Sequence, residues 1–200
     1  MCQALKAKQI SVISTARDII KRVGCDDNIR NLVMIFDEIP DEGSFFGEAF
    51  LGFTDEEDVS RWENKFFTLR GVENNQYLTR CDQEYSLYNN QIKKLMTNDS
   101  QLGSSEMNRD VKLLVTDLAA NKAKALELLI YFSQFGKVSG ISLHFEFSNF
   151  NRGFAIIEFS NVESKVLAIP VNGKSINHDG KLSGCDVTIG RLPADVVYEE

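Results

Sequence analysis

Four cysteines, two histidines, three prolines and one tryptophan in 200 residues leave little material for several kinds of chemistry. Cys2, Cys25, Cys81 and Cys185 lie too far apart for a C-x-x-C ligand pair, and an intracellular chain keeps such thiols reduced. His144 and His178 are the only imidazoles; they are read as surface or loop residues, with no zinc site and no catalytic pair. No apolar run approaches the roughly 18 residues that a membrane span requires. Residues 1–30 mix Lys, Gln, Ser, Arg and Asp in place of an apolar signal core. The expectation is an intracellular chain of the nucleus or cytoplasm with no membrane partner.

Positive charge is also in short supply. Lys and Arg number 22 against 29 Asp and Glu, a net charge of −7. Residues 1–105 hold 12 basic and 17 acidic groups, and residues 106–200 hold 10 and 12. Phosphate binders usually show the reverse balance, because Lys and Arg supply most non-specific affinity for nucleic acid. Enzyme signals are missing as well. NGKS (172–175) resembles part of a phosphate loop, but Ala168 stands where the first Gly would be needed. No nucleophile, base and orienter share a motif, and no His, Cys, Asp or Glu cluster has metal-ligand spacing, so neither catalysis, metal nor cofactor is expected.

What the chain does contain is a repeat. GEAFLGFTDEEDVSRW (47–62) and GFAIIEFSNVESKVLA (153–168) share Gly, Ala two residues on, an alternating run ending in Phe, then Thr or Ser with Glu three residues later. That ending predicts capping boxes, Thr54 with Glu57 and Ser160 with Glu163, each opening a helix behind a strand. Val59, Trp62 and Phe66 then share one core-facing stripe, and Glu57 and Arg61 are spaced for an ion pair.

The second copy reads as strand 112–118, helix 121–136 stopping at Gly136, strand 137–146, strand 151–159, helix 161–169 and strand 185–192. RGFAIIEF (152–159) and LLVTDL (113–118), with Asp117 where Asn is usual, resemble the octamer and hexamer of the RNA recognition motif. SQFGKV (133–138) and VNGK (171–174) also resemble stretches of that family. The first copy follows the same order: LKAKQI (5–10) as hexamer, STARDIIKRVG (14–24) as helix with Ser14 as N-cap, NLVMIFDE (31–38) as strand, then GEAFLGF as octamer. GEAF followed by TDEEDV looks like the quasi-recognition motifs of the heterogeneous nuclear ribonucleoprotein F/H family. The resemblance implies an α+β fold of two ferredoxin-like βαββαβ domains, each a four-stranded antiparallel sheet backed by two helices. The domains are placed at 1–86 and 110–194. Residues 87–109 are the linker, with a short amphipathic patch at Ile92, Leu95 and Met96 forming one or two helical turns and a flexible stretch at 98–108.

Alternation sorts the octamer into faces. Ala155, Ile157 and Phe159 point to the helices; Arg152, Phe154, Ile156 and Glu158 point outward, beside Leu114 of the hexamer. The resemblance implies stacking aromatics at the positions of Leu114, Phe154 and Ile156, yet only Phe154 is aromatic. At about 1–3 kcal/mol per stacked base, two missing rings remove roughly 2–6 kcal/mol of affinity. Arg152 and Lys112 are expected near phosphates. In the first copy Lys6, Glu48 and Phe50 face outward, where Glu48 repels phosphate. The quasi-motif family uses loop residues instead, but SVIST (11–15) offers no aromatic or basic side chain. The expected function is an RNA-binding module for single-stranded messenger or pre-messenger RNA, with RNA-binding residues Lys6, Phe50, Lys112, Leu114, Arg152, Phe154 and Ile156. The alternative is a protein-interaction or self-association module using the same apolar outward patch.

Overall fold

The computed structural model describes residues 3–23, 29–37, 39–40, 46–64, 66–67, 76–96, 111–147, 152–168 and 188–191. In chain order the first half forms β1 (Gln3–Ser11), α1 (Ala16–Val23), β2 (Ile29–Asp37), β3 (Phe46–Phe53) and α2 (Glu56–Trp62). It continues through the short β4 (Phe66–Phe67), β5 (Gln76–Tyr77) and β6 (Thr79–Arg80) to a long helix, α3 (Asp82–Met96). The second half is β7 (Lys112–Ala119), α4 (Ala125–Ser133), β8 (Val138–Glu146), β9 (Arg152–Phe159), α5 (Val162–Ala168) and β10 (Thr188–Arg191). Each half has the expected βαββαβ order, its strands arranged β6-β1-β3-β2 and β10-β7-β9-β8. The paired strands are antiparallel throughout.

The two sheets are not separate. β2 pairs with β8, making one eight-stranded sheet. An edge strand leaves a row of unpaired backbone groups, and here each half fills the other's row. The register is symmetric: Met34 faces Leu143 at the centre, while Asn31 pairs with Glu146 and Asp37 with Gly140. The helix side repeats this two-fold relation. The Arg17 N–H donates to the Ala120 carbonyl at 3.1 Å, and the Leu126 N–H donates to the Val12 carbonyl at 3.0 Å. Arg17 and Leu126 are the second residues of α1 and α4, so each helix satisfies one of its orphan N-terminal donors on the other half. One buried apolar layer therefore runs from Leu5 and Ile19 through Leu32 and Leu143 to Phe132 and Phe159.

Helix starts fall one residue later than the sequence motifs suggest. Thr15, not Ser14, caps α1: the Asp18 N–H donates to Thr15 Oγ1 at 3.2 Å and the Thr15 N–H donates back to Asp18 Oδ2 at 3.0 Å. Asn161, not Ser160, caps α5, accepting from the Ser164 N–H at 2.8 Å and the Ser164 hydroxyl at 2.7 Å. Ser160 lies one residue before the cap, its N–H still donating to the Lys137 carbonyl at 2.9 Å as the strand pairing ends. Asp55 occupies the N-cap position of α2 without a side-chain cap bond, so the Thr54–Glu57 box does not form. Arg61 reaches Asp58 at 3.7 Å, one turn away, in place of Glu57. Val59 is buried and Trp62 packs on the core; the Phe66 side chain lies outside the described residues.

The repeated glycines have a shared physical cause. A Cβ on Gly47 would run into the Ile35 carbonyl oxygen and the Phe36 ring, and one on Gly153 into the His144 carbonyl oxygen and the Phe145 ring. Gly136 ends the α4 turn with φ +147° and lies against Ser164, a conformation that L side chains avoid. Gly153→Ala is expected to destabilise the fold by about 1–3 kcal/mol through overpacking. Thermal unfolding followed by circular dichroism measures it, and an unchanged melting temperature would contradict the close approach.

Candidate functional site

Strand alternation places one set of side chains on the sheet face away from the main core. Cross-strand pairing then lines them up in rows. One row runs Lys6, Phe50, Val33, His144, Phe154. The next runs Ile35, Ser142, Ile156, Leu114. The first row crosses the β2–β8 seam, so rings from both halves belong to one surface.

The helix α3 occupies part of that surface. Its length exceeds the one or two turns expected, and the side chains of Ile92, Leu95 and Met96 lie outside the described residues. Tyr85 and Tyr88, three residues apart, share a helical face. Tyr85 joins Ala4, Val33, Phe50 and Cys81 in a second buried cluster, and its hydroxyl donates to Asn31 Oδ1 at 2.6 Å. Gly52 provides the space, since a Cβ there would meet both Asn31 and Tyr85. Tyr88 fills the gap above the small Val33. Its ring is stacked on Phe50 at 6.1 Å and 12°, and on His144 at 5.8 Å and 11°. His144 stacks in turn on Phe154 at 4.5 Å and 5°. All are offset-stacking distances. Four rings therefore stand nearly parallel across the seam, with Lys6 Nζ 5.6 Å from the Phe50 centroid at one end.

Charges hold the start of α3 in place. The Ala4 N–H donates to Asp82 Oδ1 at 2.8 Å, and the Arg80 Nε donates to Asp82 Oδ2 at 2.8 Å. Burial pushes the Asp82 carboxyl up, but these two donors outweigh it and hold it below its ordinary value. Lys6 Nζ lies 2.6 Å from Glu84 of α3 and 3.3 Å from Glu48. Burial pulls the Lys6 ammonium down, yet the two carboxylates win and raise it.

The residues expected to contact RNA thus have unequal surroundings. Leu114, Ile156 and Phe154 do form a patch apart from the main core, as alternation predicts. Leu114 and Ile156 are nevertheless buried, at 6% and 4% exposure, while Phe154 stays partly exposed. Phe50 is covered by α3. Lys112 Nζ is 2.9 Å from Glu158, and the Arg152 side chain lies outside the described residues. His144 is not a surface histidine: it is buried at 7% exposure. Its Nε2 lies 3.0 Å from Ser142 Oγ and 3.3 Å from the Tyr88 hydroxyl. The sequence signal for this arrangement is the unbroken apolar run LVMIF (32–36) in β2, which marks a strand covered on both faces.

Burial lowers the His144 pKa to about 3 and pushes the Tyr88 phenol up. The sign follows from proton linkage. Below about pH 6.5 the unfolded chain takes up a proton that the folded imidazole refuses. Stability is therefore full above pH 6.5 and is lost as pH falls toward 3. Denaturant unfolding is expected to show a loss of up to about 1.4 kcal/mol per pH unit from this group. His144→Gln should flatten the profile between about pH 6.5 and 5, above the main carboxylate range. Identical profiles for the two proteins would contradict the buried neutral histidine.

No curated protein matches the chain. Among solved structures it is similar to the Sex-lethal protein–RNA complex, at 17% identity and TM-score 0.33, covering 96% of this chain and 99% of that one. Sex-lethal RNA recognition domains 1 and 2 from Drosophila melanogaster match at 16% and 0.33, covering 94% and 98%. The three N-terminal RNA-binding domains of the yeast splicing factor Prp24 match at 12% and 0.34, covering 94% and 97%. In sequence, residues 113–179, about a third of the chain, match the RNA recognition motif family.

Proposed function

We propose that the chain is a non-catalytic RNA-binding module of two recognition-motif units. It acts on messenger or pre-messenger RNA in splicing, translation or stability, within the nucleus or cytoplasm. The units correspond to residues 1–86 and 110–194, with the 87–109 connection beginning inside α3. The observation that carries this reading is Phe154. It lies within the matched family segment, on the outward side of β9, and part of its ring meets solvent. The first unit's GEAF and TDEEDV stretches support the reading of a quasi-motif relative. Sheet-face contact is weak for two reasons: aliphatic Leu114 and Ile156 stand where rings would stack, and Phe50 is held beneath Tyr85 and Tyr88.

A protein partner is the second reading, favoured by Val166 and Leu167 of α5, which are 54% and 62% exposed on the opposite side of the second unit. Fluorescence anisotropy with a short random-sequence RNA pool separates the two. Binding is expected to weaken as salt rises, because cations leave the phosphates on association. Phe154→Ala should weaken it by roughly tenfold, the lower-middle of the range for one stacked base. Absence of binding at any salt would remove the RNA reading and leave the α5 surface as the interaction site.

A further inference from the structure

We infer that Thr54 is a phosphorylation site for an acidophilic protein kinase, one that selects carboxylates after its target hydroxyl. The inference stands apart from what the sheet face binds. Thr54 lies between β3 and α2, belongs to neither element and is exposed. The sequence spacing predicts a capping role for its hydroxyl, but the N-cap position falls to Asp55, and among the described residues the Thr54 side chain makes no bond. TDEED (54–58) sets four carboxylates in a row behind that hydroxyl, and Asp55, Glu56 and Glu57 are exposed. An acidic run alone marks only a solvated face. What makes this one a substrate is the exposed nucleophile at its head and the loosely held turn behind it.

A kinase reads its target as an extended segment, so the start of α2 has to open. Asp55 is already extended, at φ −123° and ψ 149°, and supplies no side-chain cap. The bond that closes the first turn, from the Val59 N–H to the Asp55 carbonyl, is long at 3.4 Å. With seven residues, α2 is too short to hold itself without packing, and its first turn opens at little cost. The second unit supplies the contrast. Ser160 takes the matching place after β9 and is exposed too, but Asn161 caps α5 with bonds of 2.8 and 2.7 Å. Of the four carboxylates only the one at Glu163 remains there. In the reaction the Thr54 oxygen attacks the γ-phosphorus of ATP, the bond to the ADP oxygen breaks, and the hydroxyl proton passes to a base of the kinase. The phosphate adds about two negative charges two residues from Glu56, which Arg80 binds together with Asp82 at the start of α3. It would compete with Glu56 for that guanidinium.

The full chain, its native fold checked by circular dichroism, is incubated with a purified acidophilic serine/threonine kinase and magnesium ATP, and the phosphate is located by peptide mass spectrometry. Phosphate is expected at Thr54, entering about tenfold or more faster than at Ser160. Combining Asp55→Asn with Glu57→Gln, at side chains without bonds among the described residues, should slow entry at Thr54 about tenfold, the worth of one charge-assisted bond to the kinase. If that double variant unfolds, the wild-type rates at Thr54 and Ser160 decide. The site is overturned by any of four results: no phosphate on Thr54 of the native chain, phosphate that enters only in urea, equal rates at Thr54 and Ser160, or a rate unaffected by removing both carboxylates.

Discussion

Antiparallel pairing between β2 and β8 sets the geometry of everything on the outward face. Because side chains alternate strictly along a strand, a slip of one residue would turn one strand over relative to the other. Either Met34 or Leu143 would then leave the core, with Val33 or His144 entering in its place. The observed register centres on Met34 and Leu143, both fully buried, so the apolar layer beneath the sheet enforces it. The reciprocal bonds from Arg17 and Leu126 tie the helix layer to the same two-fold relation. Phe50 and His144 consequently face each other across Val33 as a product of core packing, without any direct bond between them.

On the RNA-binding reading proposed above, Tyr88 and a base would compete for this face. Burying an aromatic side chain is worth about 1.5–3 kcal/mol, and a stacked aromatic pair adds roughly 0.5–1.5 kcal/mol. One base on an aromatic platform contributes about 1–3 kcal/mol. Tyr88, attached through the chain, has the advantage of high effective concentration. A strand of RNA offsets that only by engaging more than one position, and Phe154, next to His144 in the stack, is the adjoining ring.

Much of the fold was legible in sequence, and the reasons are local. The βαββαβ order followed from apolar alternation and helical spacing. The split of Ala155, Ile157 and Phe159 from Phe154 and Ile156 followed from the two-residue period alone. The glycine positions of the repeat also have a structural cause, since Gly47 and Gly153 allow the same close approach to Phe36 and Phe145. The caps were misplaced because Ser160 extends the strand pairing by one residue, which no motif reveals. His144 was read as a surface residue because its burial depends on partners 56 and 10 positions away, Tyr88 and Phe154. The joined sheet was missed for a similar reason. LVMIF carried the signal, but a strand covered on both sides matters only once something is known to cover it.

The charge balance, which argued against nucleic acid, takes on a different meaning once the ion pairs are placed. Lys6 is held by Glu84 and Glu48, and Lys112 by Glu158. In this closed arrangement the lysines of the sheet face present little free positive charge to a phosphate. Such partly exposed pairs are worth only about 0–1 kcal/mol each, so exchanging a carboxylate for a phosphate costs little once a base has seated. An acidic chain built this way gains little from non-specific attraction along a phosphate backbone. If the chain binds RNA as proposed, the rings rather than the lysines would supply most of the affinity.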